Sequence, residues 1–463
     1  MQKITIKNFG PIKDAEIEIK KVLVLIGEQA SGKSTIAKLI YFFKSIGDIF
    51  YNNLRKADRD NYDVTQDLKK PIREEFYKFF GSTKHLPNFE IVYHCSDSRS
   101  VALNLAEDKS LLVNFSSNFF DRNFQRKINQ TKQELNEINK KLNSVKDFTE
   151  HVIYEQKISL LKKMWSLIGE LFENKHNSSL FVVAGRESTV SYGTTFETSF
   201  QNTLSDKENS DVKRTFKKAQ TTNEYLMVDF LKRVDDLKRD FFNNEGTFDG
   251  LIFRYSEDFP HPKLLEIFNF KIEKILKGKY KIDSWGEKLI LENEQYVYFQ
   301  NASSGQQESL RILQDLFISF LRQEKFFKVV EEPESHLFPE AQKELVELLM
   351  FTANQFSENQ LIITTHSPYI LTAINNLLFY SRICKRNSDA ISEIQEHFGI
   401  QDLENQKINI LPDEFQAYSI NTTQKICKSI FDKESGLICE NFLDEITEQL
   451  NEDFNFLYEL NVS

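Results

Sequence analysis

"VLVLIGEQASGKSTIAKLIYFF", residues 22–43, is the stretch on which the fold turns. Its first five residues are a continuous apolar run, as expected of a parallel strand buried on both faces. Residues 27–34, GEQASGKS, fit GxxxxGK[ST], and Ile36, Leu39, Ile40, Phe43 and Ile46 then recur at helical spacing. Strand, loop and helix therefore stand in the order that a phosphate-binding loop requires. Gly27 and Gly32 let the backbone bend until consecutive N–H groups point at phosphate oxygens, and the helix start adds its positive end. Lys33 would bridge the terminal phosphates of ATP, and the Ser34 hydroxyl would ligate Mg²⁺. Ser31 and Thr35 complete the candidate nucleotide contacts. The loop implies a nucleoside triphosphate.

Three further stretches follow in order. NASSGQQESLRILQDLF, residues 301–317, sets Ser303, Ser304, Gly305 and Gln306 at the opening of a helix, where N–H groups can meet an anion. A plain helix cap at Ser303 or Ser304 is the alternative. FFKVVEEPESHLFPEAQ, residues 326–342, is an apolar strand ending in two carboxylates and stopped by Pro333. Glu331 at the strand end can reach a magnesium shell, and Glu332 can orient or deprotonate the attacking water. QLIITTHSPYIL, residues 360–371, is another buried strand, ending in His366. A lone histidine there is usually structural; as the fourth member of an ordered set it becomes a catalytic candidate beside Glu332 and Lys33.

This order of motifs resembles the ABC-type ATPase heads of the SMC and OLD group. The resemblance implies an α/β fold, an ABC-type P-loop head with a mixed β-sheet, and a nucleotide site closed by a second subunit. It places Ser303, Ser304, Gly305 and Gln306 in the signature loop that meets the γ-phosphate of the opposite protomer, and makes His366 the switch histidine. Two departures stand out. Glu331 occupies a position where the group usually has aspartate, and only Gln66 offers itself for the glutamine loop.

The signature lies far beyond the phosphate loop, so a large insert is expected between them. Phe124, Ile128, Thr131, Leu135, Ile138, Leu142, Val145, Thr149 and Val152 step by fours and threes. That stripe predicts a coiled-coil-like helix of roughly 45 Å, or a helix packed on its own domain. SLFVVAGRES, residues 179–188, reads as a short buried strand whose Arg186 reaches a phosphate or the subunit boundary, or else forms a structural ion pair. Residues 192–211 are polar and turn-rich, and residues 279–300 read as antiparallel strands turning near Gly286 and Asn293. After about Asn375 the sequence suggests one or two strands and a closing helix with Phe442, Leu443, Ile446, Leu450 and Phe454 on one face. The expected organisation is a core at 1–110 with the loop, a helical insertion at 111–180 and a strand with a helical lobe at 181–255. The second part of the core spans 256–400, and a strand and helix segment spans 401–463.

Composition excludes several classes. Of 463 residues, 40% are hydrophobic and 28% charged, and no apolar run approaches the length of a membrane span. The opening MQKITIKNFG lacks the apolar core of a signal peptide, and Cys95, Cys384, Cys427 and Cys439 show no CxxC spacing. A reduced cytoplasm is the expected setting, without a membrane partner. The net charge of -10 argues against coating nucleic acid, although residues 213–218 and 271–281 are locally basic. Neither Toprim nor HNH elements occur.

GEQASGKSTIAKLIYFF, FVVAGRES, NASSGQQES and GLICENFLDEI are together most similar to stand-alone ATPase subunits of bacterial antiphage systems. The Septu ATPase, which works with a separate HNH nuclease, is the first likeness, and the PARIS sensor ATPase, paired with a Toprim-like effector, the next. The resemblance implies a homodimer or higher even-numbered oligomer, ATP and Mg²⁺ at its interface, a separate effector, and DNA or a phage-encoded trigger. A repair ATPase that clamps DNA directly is the alternative.

Overall fold

The computed structural model describes residues 1–56, 63–144, 150–174, 176–187, 189, 222–387, 391–393, 408–421, 425–439, 451, 452 and 454. The polar stretch 192–211, the basic run 213–218, and Val145, Thr149, Phe442, Leu443, Ile446 and Leu450 lie outside them.

Strands β1 (Lys3–Phe9) and β2 (Ile12–Glu18) form a hairpin that turns at Gly10, where φ is 58°. Strand β3 (Val22–Gly27) runs into the phosphate loop and helix α1 (Lys33–Lys56), followed by α2 (Val64–Phe80). Strands β4 (Glu90–His94), β5 (Ser100–Leu105) and β6 (Leu111–Phe115) extend the hairpin into a five-stranded antiparallel sheet ordered β2-β1-β4-β5-β6. Phe42 on α1 meets Phe76 and Phe79 of α2 edge-on, and Phe9 of β1 meets Phe76 the same way. Each such pair adds about 0.5–1.5 kcal/mol beyond its buried area.

The heptad stripe divides. Helix α3 (Arg122–Ser144) and helix α4 (Glu150–Phe172) pack against each other, joined near mid-length by Lys163 and Glu134 at 3.8 Å. Phe124, Ile128, Thr131 and Leu135 are buried at the base, where Lys132 Nζ donates to the Leu54 carbonyl of α1 at 2.7 Å. Trp165 of α4 packs edge-on against Tyr51 of α1. Val152, in contrast, is exposed. In place of a single helix of four heptads stand two 23-residue helices packed on each other, with a base that belongs to the head; the period reflects packing on α4 and, at the base, on α1.

Strand β7 (Ser178–Val182) follows the hairpin, and helices α5 (Thr222–Phe242), α6 (Phe248–Tyr255) and α7 (Pro262–Leu276) form a lobe. Strands β8 (Lys279–Asp283), β9 (Gly286–Ile290) and β10 (Tyr296–Tyr298) make the antiparallel meander expected at 279–300. They lead to helix α8 (Ser304–Leu321), strand β11 (Phe326–Glu331), helix α9 (Pro339–Ala353), strand β12 (Gln360–Thr365) and helix α10 (Pro368–Arg386).

The C-terminal segment completes the central sheet. Strand β13 (Phe415–Ile420) pairs in parallel with β3, and β14 (Cys427–Ser429) closes that edge antiparallel. The order is β14-β13-β3-β12-β11-β7, with the five strands from β13 to β7 parallel. Every residue of β3 and β11 is buried. Parallel strands covered on both faces carry such apolar runs, and each buried Val, Leu or Ile contributes about 1.5–3 kcal/mol. The carboxyl ends of β3, β11 and β12 are thereby fixed side by side.

Candidate functional site

The loop after β3 is shaped by close approaches. A Cβ on Gly27 would stand 2.7 Å from both the Ile420 carbonyl of β13 and Ser31 Oγ, and Gly32 has φ +110° with Pro11 and Ile12 against it. Lys33 opens α1 and is 5% exposed. Its ammonium donates to the Gly27 and Glu28 carbonyls at 2.6 and 2.8 Å, which bends the loop around it. Burial lowers the Lys33 pKa, opposed by the charges of Glu332, Glu334, Glu331 and Glu28. Lys33 thus lies within the field of the carboxylates at the end of β11. Ser34 and Thr35, the next residues of α1, are half-buried.

Glu331 ends β11, buried, with Oε2 accepting from the Ala184 N–H at 3.3 Å. Glu332 leaves the strand with φ 43°, a left-handed conformation that costs a residue with a side chain on the order of 1–3 kcal/mol. Its N–H is held by the Thr364 carbonyl of β12 at 2.8 Å. His366 follows β12, half exposed, with Nδ1 3.8 Å from Glu332 Oε1 and 3.5 Å from Glu334 Oε1. Lys33, Glu331, Glu332 and His366, distant in sequence, share one end of the sheet.

Glu334 is the member that sequence reasoning missed. Its carboxylate, 4% exposed, accepts from Thr365 Oγ1 at 2.6 Å and from the His366 N–H at 2.9 Å, so it fixes the turn that presents the histidine. The signal was the third acidic residue in EEPES, three positions after Glu331. Arg186 resolves to its structural alternative: it is fully buried and forms an ion pair with Glu308 of α8 at 3.1 Å.

Ser303 caps α8, and a capping box is complete, the Gln306 side chain accepting from the Ser303 N–H at 2.9 Å. Ser303 and Ser304 are exposed, whereas a Cβ on Gly305 would stand 2.4 Å from the His336 carbonyl. The helix start therefore packs flush on the turn that follows β11. Among the described residues, no hydrogen bond or ion pair links residues 303–306 to Lys33, Glu332 or His366. Gln66 lies exposed in the first turn of α2, and no contact ties its side chain to the site.

Several buried oxygens at these strand ends have no protein partner: Ser31 Oγ, Glu331 Oε1, Glu334 Oε2 and Thr364 Oγ1. Desolvated oxygens of this kind cost free energy unless something satisfies them. Phosphate groups with a hydrated divalent cation supply both donors and a positive charge, so the residues present fit Mg²⁺ and a triphosphate. Among the described residues, no group of three or more His, Cys, Asp or Glu side chains is arranged to hold a metal alone.

A phosphate loop leaving a buried parallel strand, with carboxylates at the end of a strand two places along the same sheet, defines a P-loop ATPase head, here on a mixed sheet with a helical insertion. The family model described as the AAA ATPase domain matches residues 1–371, and the chain belongs to that family. It is an ATPase. Among solved structures, the chain is similar to an SMC head domain with an extended coiled coil from Pyrococcus furiosus, bound to the C-terminal domain of ScpA. That match has 10% identity and a TM-score of 0.34, and covers 97% of this chain and 100% of that one. It is also similar to the recombination mediator RecF of the RecFOR pathway with ATPrS, at 10% identity and a TM-score of 0.31, covering 92% and 97%. No curated protein matches. Among the described residues, no helix is long and apolar enough to cross a membrane.

Proposed function

We propose that this chain is the ATP-binding and hydrolysing switch of an antiphage defence complex, dimerising head-to-tail around ATP and controlling a separate effector nuclease. Lys33 neutralises the terminal phosphates, and Ser34 with Glu331 holds the cation. Mg²⁺, when bound, offsets the charge that develops between the β- and γ-phosphates. Glu332 takes a proton from the attacking water, and His366, steadied by Glu334, meets the γ-phosphate side.

The observation that carries the dimer is the exposed, capped start of α8. Ser303 and Ser304 face solvent at the positive end of an 18-residue helix and do not contact their own phosphate loop. That supports a phosphate brought to them by another protomer. The effector surface is supported by the hairpin, where Val152, Tyr154 and Ile158 of α4 are exposed. One of the two basic stretches open to the DNA-clamping alternative is partly neutralised: Lys271 and Lys274 pair with Glu344 at 2.6 and 3.3 Å, and Lys279 with Glu273 at 3.4 Å.

The test uses the pure chain and the product of its neighbouring gene. ATP should be hydrolysed slowly by the chain alone, and neither DNA nor RNA cut with Mg²⁺ or Mn²⁺. Nuclease activity should appear only in the complex, and Tyr154→Glu should release the partner while ATP turnover persists. Metal-dependent cleavage by the isolated chain, abolished by changing a carboxylate outside the ATP site, would overturn the proposal.

A further inference from the structure

Arg186 stands just past the end of β7 and is the point where three elements meet. Nη1 donates to the Val183 carbonyl at 2.8 Å and to the Glu331 carbonyl at 2.7 Å. Nη2 donates to the Glu332 carbonyl at 3.0 Å, and Nε to the Glu308 carbonyl at 3.1 Å. The Arg186 N–H donates in turn to Glu308 Oε2 at 3.1 Å. The guanidinium is 0% exposed.

Two features make this more than a buried ion pair. In an extended strand successive carbonyls point to opposite sides, yet those of Glu331 and Glu332 both meet one guanidinium. The left-handed turn at Glu332, φ 43°, is what brings them together, so Arg186 binds the backbone in the very conformation that aims the Glu332 side chain. The second feature is the stiffness of α8. Beyond Glu308, the helix is fastened to β9 by Arg311 and Glu287 at 2.6 and 2.8 Å, and to β11 by the buried pair of Asp315 and Lys328. Glu308 is thereby held in fixed register with β11, one turn from the exposed start of α8.

We infer that Arg186, paired with Glu308, is a positioning residue that holds Glu332 in its hydrolytic pose and makes that pose depend on the placement of α8. Phosphate engagement at residues 303–306 and activation of water at Glu332 are then one mechanical unit, and an unpaired protomer hydrolyses poorly although it binds ATP. A five-donor planar fork suits this task, and a lysine cannot reproduce it. The inference rests on the reading of Glu332 as the base.

Single-turnover hydrolysis and binding of a fluorescent ATP analogue, on the full chain, test it. Arg186→Lys and Glu308→Gln should each lower the single-turnover rate at saturating protein by about tenfold or more, with affinity within about twofold of wild type. Placed in a Glu332→Gln background, neither should cost anything further, because both act through that one group. A folded Arg186→Lys and Glu308→Gln pair with wild-type rates would overturn the inference. So would losses that multiply with Glu332→Gln, or that appear in affinity instead of rate. If Arg186→Lys fails to fold, Glu308→Gln, which keeps the side-chain size, decides by the same criteria. Wild-type hydrolysis by Glu332→Gln alone would remove the base, and the inference with it, whatever Arg186 does.

Discussion

On the proposed reading, Glu332 and Lys33 divide the work at the residue scale, and their substitutions should fail differently. Lys33→Ala removes the buried cation that the loop carbonyls hold in place, so ATP binding itself should be lost in a titration by calorimetry. Glu332→Gln keeps the shape and the Thr364 contact but cannot take a proton. ATP should bind with near wild-type affinity and persist, with turnover reduced about 100-fold or more. A Glu332→Gln protein that turns over normally would move the base elsewhere. That these residues come together was legible in the sequence because each belongs to a motif with fixed spacing. Glu334 and Arg186 were less so. Their roles are set by what they touch, the His366 N–H and the Glu331 and Glu332 carbonyls, and no spacing in the chain announces such contacts.

Helices and strands were read well where the period or the unbroken apolar run itself specifies the element. Residues 22–26 and Ile36, Leu39, Ile40, Phe43 and Ile46 of α1 are buried as their periods required. The stripe on α3 shows the opposite case, because a period of three and four cannot distinguish a long coiled coil from a hairpin packed on α1. The base of that hairpin makes a prediction of its own. Lys44 of α1 is 1% exposed and donates to Gln2 Oε1 at 2.6 Å and Asn174 Oδ1 at 3.4 Å, tying the end of α4 to the start of the chain. Burial, against the weaker pull of Cys95 and Glu173, brings its pKa from 10.5 to about 7. The unfolded chain then holds more protons between those two values, so stability should climb as pH rises from 7 towards 10 and level off beyond. The unfolding free energy of wild type relative to Lys44→Met, from urea titrations, should rise over that window by up to a few kcal/mol. A difference that stays flat with pH would show that the lysine titrates normally.

At the scale of the whole molecule, the sheet is assembled from both ends of the chain, and this was the least legible feature. FQAYSI, residues 415–420, is a short run in a polar context, yet as β13 it lies beside β3 and sets its Ile420 carbonyl against Gly27. Only the pairing partner reveals that the segment belongs to the core. The same global view separates the two halves of the proposed site: the phosphate loop and carboxylates on one end of the sheet, and the solvent-facing Ser303 and Ser304 without a contact to them. The account stands or falls on whether those halves meet across a two-fold axis, since such an axis creates two equivalent composite sites. Lys33→Ala and Ser303→Arg chains, each inactive alone, should be mixed under differently tagged copies and the hybrid dimers purified and assayed. One intact site per hybrid, Lys33 from one chain and Ser303 from the other, predicts recovery to about half the wild-type ATPase rate per dimer. Purified hybrids as inactive as either parent would contradict the shared site.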